Sequence, residues 1–186
     1  HSCAFCIVPA VRGAEISRPV EDVLQEVRAL AADGVTDITL LGQNVNSYGR
    51  DLTLAARQAG EAGTRIQPLF ADLLRAAGSV PGIRRVRYTS PHPSFFDADL
   101  IRAHAELPEL CPHVHLPLQS GSDAMLGRMR RRYGADDYRR LVERLREARP
   151  DVALTTDLIV GHPGETDADF EATLALVREV RFVDAY

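Results

Sequence analysis

Hydrophobic residues recur at helical spacing in several separate stretches of the chain. In the first stretch, Val20, Val23, Leu24 and Val27 lie three or four residues apart, and the run stops at Gly34. This spacing puts the apolar side chains on one face of a helix, and glycine is common just beyond a helix end. Equivalent patterns predict a helix over about 68–77, a helix capped by Asp97, helical runs around Met125 and from Asp136, and a helix capped by Thr166.

Short β-rich runs alternate with these helices. They cover residues 37–41, 85–89, 113–118 and 152–160, and a further strand opens at 182–183. Residues 1–13 and 47–67 lack clear periodicity, which predicts a loop at the start of the chain and a loop or insertion later. Strands that alternate with crossover helices form a parallel sheet, so the predicted fold class is α/β.

Unusual residues occupy the four junctions between a strand and the following helix. Because parallel strands end at the same edge of a sheet, and ligands bind at that edge, we expect all four junctions to cluster on one rim. The cysteine-bearing segment at the start of the chain is expected to join them. The junctions are Gly42-Gln43-Asn44, Ser90-Pro91-His92, Gln119-Ser120-Gly121-Ser122 and Gly161-His162-Pro163-Gly164-Glu165.

Composition narrows the classes of function. The 186 residues include 45% hydrophobic and 26% charged ones, which is ordinary for one soluble globular domain. No apolar run approaches the ~20 residues of a membrane span. All 22 basic residues are arginine, which excludes Schiff-base lysine chemistry and a P-loop lysine. The net charge of -4 does not favour nucleic acid, and three cysteines, an odd number, predict a reducing cytoplasmic location.

Two of the three cysteines, Cys3 and Cys6, form a C-x2-C pair. Thiolates at this spacing on a loop can bind one metal centre. The pair alone leaves three possibilities open, namely a redox dithiol, a zinc half-site and an iron–sulfur half-site. The third, Cys111, lies beside Pro112 and is expected to be a small core residue.

The polar junction residues also have two interpretations each. Gln43 and Asn44 offer uncharged donors and acceptors that suit an amino-acid ligand, or they form a simple turn. Gln119, Ser120 and Ser122 open a helix whose N-terminus can receive an anion, and capping by Ser122 is an equal alternative.

The histidines and the densest run of arginines likewise allow both a functional and a structural interpretation. His92 can act as an acid or base, or it is an exposed loop residue. His113 and His115 alternate along a strand and therefore share one face, as ligands or as structural residues. The arginines of residues 128–132 can clamp a carboxylate or meet RNA phosphates, or they form a solvated helix face.

Five stretches taken together resemble the radical S-adenosylmethionine (SAM) methylthiotransferases. The resemblance spans the whole chain and implies a partial TIM-like (β/α) barrel, truncated at both ends, with residues 1–186 forming the radical SAM core. The family's N-terminal methylthiotransferase domain and C-terminal RNA-binding β-barrel would lie outside this chain. The stretches are Cys3-Ala4-Phe5-Cys6-Ile7-Val8-Pro9 with Arg12-Gly13, Leu40-Leu41-Gly42-Gln43-Asn44-Val45-Asn46, Thr89-Ser90-Pro91-His92-Pro93, His115-Leu116-Pro117-Leu118-Gln119-Ser120-Gly121-Ser122-Asp123, and Asp157-Leu158-Ile159-Val160-Gly161-His162-Pro163-Gly164-Glu165-Thr166.

The resemblance implies two cofactors. The family motif C-x3-C-x2-C holds a 4Fe-4S cluster through three thiolates, and its open iron binds the amino and carboxylate groups of SAM. Cys3 and Cys6 match the second and third cysteines, and the first would lie four residues before Cys3. We therefore expect a fragment that holds the cluster poorly alone. No catalytic residue is assigned beyond the cluster ligands.

Further site residues follow from the same resemblance. Arg131 resembles the arginine that meets the SAM carboxylate, and Phe5 resembles an aromatic residue near adenine. Ile159 and Gly161 match an adenine-binding strand end. The whole implied SAM site comprises Phe5, Gln43, Asn44, Gln119, Ser120, Ser122, Arg131, Ile159 and Gly161, and RNA contacts are expected from Arg12, Arg130 and Arg132.

The implied activity is a tRNA modification. A reduced cluster would split SAM into methionine and a 5′-deoxyadenosyl radical, which removes hydrogen from C2 of an N6-isopentenyladenosine beside the anticodon before a methylthio group is added. Implied partners are tRNA and an electron donor such as flavodoxin or ferredoxin, with the enzyme a cytoplasmic monomer. The alternatives are a sister enzyme that methylthiolates a ribosomal protein aspartate, a non-enzymatic zinc-binding RNA module, and a thioredoxin-like redox protein.

Overall fold

The computed structural model of the chain describes residues 3–13 and 15–186. The described residues fall into two compact units. One, the cysteine unit, combines the described part of residues 1–14 with residues 113–186, and the other, the central unit, is formed by residues 15–112. The elements are α1 (Val8–Arg12), α2 (Val20–Ala32), β1 (Asp37–Leu40), α3 (Arg50–Gln58), α4 (Phe70–Gly78), β2 (Arg85–Tyr88), α5 (Ala98–Glu106), β3 (His113–His115), α6 (Asp123–Arg128), α7 (Ala135–Ala148), β4 (Ala153–Thr156), α8 (Asp167–Val180) and β5 (Asp184–Ala185), with single 3-10 turns at Val45–Ser47 and Pro93–Phe95.

The central unit is built on the parallel pair β1 and β2, in which Asp37 aligns with Arg85 and Leu40 with Tyr88. Alternate residues of β2 are buried, as expected for a strand with one face against helices. Tyr88 meets the ring of Phe70 from α4 edge-on, with ring centroids 5.2 Å apart. Burial raises the pKa of Tyr88 well above its ordinary value, so its hydroxyl stays neutral.

The cysteine unit contains a three-stranded parallel sheet in the order β3-β4-β5. Val114 of β3 and Leu154 of β4 pair and are almost fully buried, as are Leu145 of α7 and Leu176 of α8. Tyr138 of α7 is also buried, and its hydroxyl donates to the carbonyl of Leu116 at 2.7 Å. The helices therefore cover one face of this sheet.

The α/β class with parallel strands is confirmed, and the strands in the described residues do not close a barrel. The three predicted helix caps are confirmed, since the side chains of Asp97, Ser122 and Thr166 each accept a backbone N–H of the following turn. Cys111 is buried, as predicted. In the described ranges no helix combines the length and the apolar character that a membrane crossing requires.

Two loop predictions were wrong. Residues 47–67 contain α3, a helix in which only Thr53 is buried, and this explains the weak apolar periodicity. The Thr53 hydroxyl donates to the carbonyl of Gln67 at 3.0 Å and so attaches α3 to the following segment. The loop predicted at the start of the chain likewise contains a short helix, α1, after the cysteines.

Strand ends also differ from the prediction. β3 ends at His115 and β4 at Thr156, whereas the apolar runs continue to residues 118 and 160. The last strand lies at Asp184–Ala185 rather than opening at 182. The apolar continuation after β3 reflects burial beyond the regular ladder, because Leu116 and Leu118 are fully buried, whereas Val160 at the end of the second run is exposed.

Candidate functional site

The cysteine pair lies on a single turn. The backbone N–H of Cys6 donates to the carbonyl of Cys3 at 3.2 Å, and the N–H of Ala4 donates to the carbonyl of Met129 at 3.1 Å. Both thiols are free, with Cys3 half-buried and Cys6 exposed. The turn therefore presents two sulfur atoms while its backbone is anchored beside the end of α6.

Arg131 lies next to this turn. Its guanidinium carbon is 5.5 Å from the ring centroid of Phe5 and 6.0 Å from that of Tyr133. Tyr133 is held by its hydroxyl, which donates to the carbonyls of Pro117 and Leu118 at 3.0 Å. Burial raises the pKa of Tyr133, so this hydroxyl remains a neutral donor. The guanidinium therefore lies close to both aromatic rings.

One nitrogen of Arg131 has no hydrogen-bond partner in the part of the chain that the structure describes. Its Nε is buried, and no described residue accepts a hydrogen bond from it. Buried N–H groups are almost always paired, and a guanidinium N–H pairs best with a carboxylate or phosphate. The anion contact expected at Arg131 stays a prediction, and this buried N–H beside the cysteine turn is the donor that it would use.

The two thiols of the cysteine turn fit part of the ligand set of an iron–sulfur cluster. Two thiols on one turn match two of the thiolates that such clusters require. In residues 3–13 and 15–186 no three His, Cys, Asp or Glu side chains converge to hold a metal ion. Within that range, histidines therefore do not complete the site that the zinc-module alternative needs.

Gln119 joins the ends of β3 and β4. It is buried and adopts a left-handed conformation with φ of 70°. Its N–H donates to the carbonyl of Asp157 at 2.8 Å, and its carbonyl accepts from the N–H of Ile159 at 2.9 Å. Two predicted site residues, Gln119 and Ile159, therefore lie at one strand edge, and Gly161, two residues further on, donates its N–H to the carboxylate of Glu165.

The hydroxyls of Ser120 and Ser122 already have protein partners. Ser120 is fully buried, and its hydroxyl lies 3.2 Å from that of Thr173 on α8. Ser122 caps α6 and also donates to the carboxylate of Asp169. These bonds, with those from Thr166, lower the pKa of Asp169 to about 2. The capping interpretation of Ser122 is confirmed, and a contact of either serine with a cofactor stays a prediction.

Gly121, between these serines, is required by close packing. A Cβ at this position would lie 2.5 Å from the carbonyl oxygen of Ala172 and 2.7 Å from the Cα of Thr173. The loop after β3 therefore lies directly on the backbone of α8.

Arg128 has a role that the sequence did not indicate. Its Nη1 donates to the carbonyl of Pro163 at 3.1 Å, and a Cβ on Gly164 would collide with its guanidinium. Arg128 thereby fastens residues 161–165 to α6. The predicted RNA contacts, Arg12, Arg130 and Arg132, are exposed and stay predictions.

In the central unit, the two strand-end junctions are tied to each other. Asn46 donates from Nδ2 to the carbonyl of His92 at 2.9 Å, and the N–H of His92 donates to Oδ1 of Asn46 at 2.8 Å. Both residues are buried, so the interpretation of His92 as an exposed loop residue was wrong. Gln43 is exposed, whereas Asn44 is left-handed and donates to Glu15 at 2.9 Å.

Of the four junctions predicted to form one rim, the structure shows contacts within two separate pairs. Residues 42–46 meet residues 90–92 within the central unit, and residues 119–122 meet residues 157–161 within the cysteine unit. A single rim that joins all four junctions stays a prediction.

Comparison with known proteins gives one consistent result. The profile of the Radical SAM superfamily matches residues 1–177. The chain is 53% identical over its full length to the tRNA-2-methylthio-N(6)-dimethylallyladenosine synthase of Mycobacterium avium (strain 104), covering 25% of that protein. Proteins of the same name from Parafrankia sp. (strain EAN1pec) and Mycobacterium leprae (strain TN) are 55% and 53% identical, each with 35% of its length covered. The chain therefore spans about a third or less of the relatives it matches.

Proposed function

Because the chain belongs to the radical SAM superfamily, we propose that it is the cofactor-binding core of a tRNA methylthiotransferase. The proposed reaction adds a methylthio group to C2 of an N6-isopentenyladenosine next to the anticodon. Identity of 53–55% over the whole chain with synthases named for this product supports the choice of substrate. It also favours tRNA over a ribosomal protein as the acceptor.

The observation that carries the proposal is the open guanidinium of Arg131 beside a turn that bears two free thiols. Cys3 and Cys6 would hold two irons of a 4Fe-4S cluster, and Arg131 would bind the carboxylate of SAM. When bound, the cluster and SAM together supply radical chemistry at an otherwise unreactive C–H bond. Arg131 can orient the cofactor because Phe5 and Tyr133 fix its own position.

The edge formed by Gln119, Ile159 and Gly161 would receive the adenosine part of SAM. Gly161 has φ of 76° and no atom within 4 Å of where a Cβ would lie, so a flat ring can approach its backbone. The side chains of Ser120 and Ser122 would act indirectly, by holding this loop on α8. Gln43 and Asn44 are proposed as further SAM contacts from the central unit.

The partners are proposed on the same basis. We infer a tRNA substrate contacted by Arg12, Arg130 and Arg132, and an electron donor such as flavodoxin or ferredoxin. The enzyme would act as a cytoplasmic monomer. Residues 1–186 would serve as the radical SAM core, with a methylthiotransferase domain and an RNA-binding β-barrel as further domains of the enzyme.

The test uses the full natural chain, reconstituted without oxygen with iron and sulfide and reduced in the presence of SAM. One sample receives tRNA that contains N6-isopentenyladenosine, and a matched sample receives ribosomal protein. Mass spectrometry of the digested products should detect the methylthio group on the nucleoside only. A methylthiolated aspartate with unmodified tRNA would contradict the proposal in favour of the sister activity.

A further inference from the structure

A row of four polar side chains runs across one face of β3 and β4. His113 and His115 alternate on β3, and Thr155 and Asp157 alternate along β4 and its extension. The Thr155 hydroxyl lies 3.1 Å from Nε2 of His113 and 2.9 Å from Nδ1 of His115. Nε2 of His115 lies 3.3 Å from Oδ2 of Asp157. The two histidines therefore share one face, as predicted, and neither belongs to the site beside the cysteine turn.

The hydrogen bond between His115 and Asp157 has a defined direction. A carboxylate only accepts, so Nε2 of His115 carries the proton that it shares with Asp157. The hydroxyl of Thr155 links the two histidines, because a hydroxyl can both donate one hydrogen bond and accept others. Each group thus fixes its neighbour, and the row ends at the carboxylate of Asp157.

Hydrogen bonds hold Asp157 in place, but its carboxylate can accept one more. Its backbone carbonyl accepts from Gln119 at 2.8 Å, and its Oδ2 is paired with His115. The other carboxylate oxygen has no hydrogen-bond partner among the described residues, and 40% of the side chain is exposed. The bridge between Leu158 and Gln119 keeps the chain extended here, so Asp157 is directed to the same side as Ile159, two residues further on.

We propose that Asp157 is a substrate-binding residue whose free oxygen accepts a hydrogen bond from an N–H or O–H group of the target nucleoside. The row of His115, Thr155 and His113 positions it. An oriented carboxylate suits a neutral nucleoside donor and repels the phosphate backbone, so the contact is to the base or the ribose. The inference rests on the proposed function, since it concerns the RNA nucleoside of that reaction.

The test compares Asp157→Asn with Asp151→Asn, an exposed aspartate at the other end of β4, in the reconstituted full natural chain. For an anticodon stem-loop containing N6-isopentenyladenosine, Asp157→Asn should raise KM about 10-fold, because a charge-assisted hydrogen bond is replaced at best by a neutral one to an amide oxygen. The affinity for SAM and the cluster spectrum should not change. Asp151→Asn should behave as the wild type.

Two altered substrates identify the donor. One carries a 2′-deoxyribose at the target nucleotide, and the other carries a second alkyl group on N6 and so lacks the N–H. The effect of Asp157→Asn should disappear on one of them, because the group that Asp157 contacts is already missing. An effect of equal size on both, or on SAM affinity instead, would overturn the inference.

Thr155 supplies a second, independent variant. Thr155→Val should raise KM in the same direction, because it removes the hydroxyl that orients His115, and Thr155→Ser should restore it. If the wild type does not modify the stem-loop at all, the proposed function fails. If the wild type is active and both Asp157→Asn and Thr155→Val match it, only the inference about the row fails.

Discussion

The strand ends of the two units use polar residues in opposite ways. In the central unit, Asn46 and His92 are 1% and 3% exposed. The side-chain amide of Asn46 donates to the backbone carbonyl of His92 and accepts from its backbone N–H. In the cysteine unit, neither the buried Nε of Arg131 nor one carboxylate oxygen of Asp157 has a hydrogen-bond partner within residues 3–13 and 15–186. The mutual hydrogen bonds of residues 46 and 92 join two loops of the fold, whereas we propose that the buried donor of Arg131 and the open acceptor of Asp157 are used in binding.

Arginines show the same contrast. Arg75 in the central unit makes two hydrogen bonds of 2.9 and 3.0 Å to the carboxylate of Asp99, and this pairing lowers the pKa of Asp99. Arg131 has aromatic neighbours on either side and no carboxylate among its described contacts. The first arginine is paired with a carboxylate of the protein, whereas we propose that the second binds a ligand.

The largest effect is expected at the cysteine turn. Cys3→Ala or Cys6→Ala should abolish cluster binding and reduce methylthiolation to background, because each removes a thiolate ligand. Iron content after anaerobic reconstitution of the full natural chain measures the first effect. Cys111→Ala is the matched control, since Cys111 is buried in the central unit and should leave the iron content unchanged. Equal iron in all three variants would contradict the assignment.

The next effect concerns the open guanidinium. Arg131→Gln should weaken SAM binding about 10- to 100-fold, as expected for a lost hydrogen bond between charged groups. Equilibrium binding of labelled SAM to the reconstituted protein checks this. Arg130→Gln, a change in an exposed neighbour, should keep SAM affinity and weaken tRNA binding instead. Loss of SAM affinity in Arg130→Gln alone would reverse the two assignments.

A smaller effect is expected in the central unit, and on stability rather than on ligand binding. Asn46→Ala should lower the free energy of unfolding by about 2 kcal/mol, because it leaves buried backbone groups of His92 unpaired. Asn44→Gly is the control, since glycine keeps the left-handed conformation and only a solvent-exposed bond to Glu15 is lost. Chemical denaturation compares them. A stable Asn46→Ala variant with impaired SAM binding would contradict the contrast between the units.

The smallest effect is a dependence of stability on acid. Hydrogen bonds from Ser122 and Thr166 hold the pKa of Asp169 at about 2, below its ordinary value of about 3.9. Since the folded-state pKa is depressed, this contribution is present above about pH 4 and is lost as the pH falls towards 2. The stability difference between wild type and Asp169→Asn should therefore shrink over that interval. Asp167→Asn, in the same helical turn, should show no such change relative to wild type.

Local chemistry made much of the fold predictable. The caps at Asp97, Ser122 and Thr166 were found because capping depends on residues three positions apart. The helix α3 was missed because it buries only Thr53 and so has little apolar pattern. The alternation of His113 and His115 followed from strand geometry, but their common partner Thr155 lies about 40 residues away and has no local signal.

In the candidate site, too, local motifs were predictable from the sequence and contacts between distant residues were not. The cysteine spacing could be recognised in sequence, yet it allowed a redox, zinc or iron–sulfur interpretation until the other motifs were considered. The fastening of residues 161–165 by Arg128 was not predictable, because it joins residues 35 positions apart. The pairing of Asn46 with His92 spans 46 positions, and it buries a histidine that the sequence placed on an exposed loop.

The most direct test of the account is the electron paramagnetic resonance spectrum of the reduced, reconstituted full natural chain, recorded with and without SAM. The account predicts a 4Fe-4S signal whose shape changes when SAM is added, and a much weaker change at the same SAM concentration in Arg131→Gln. A signal that SAM does not alter, or the absence of any cluster, would contradict the assignment of the cysteine turn and Arg131 to one cofactor site.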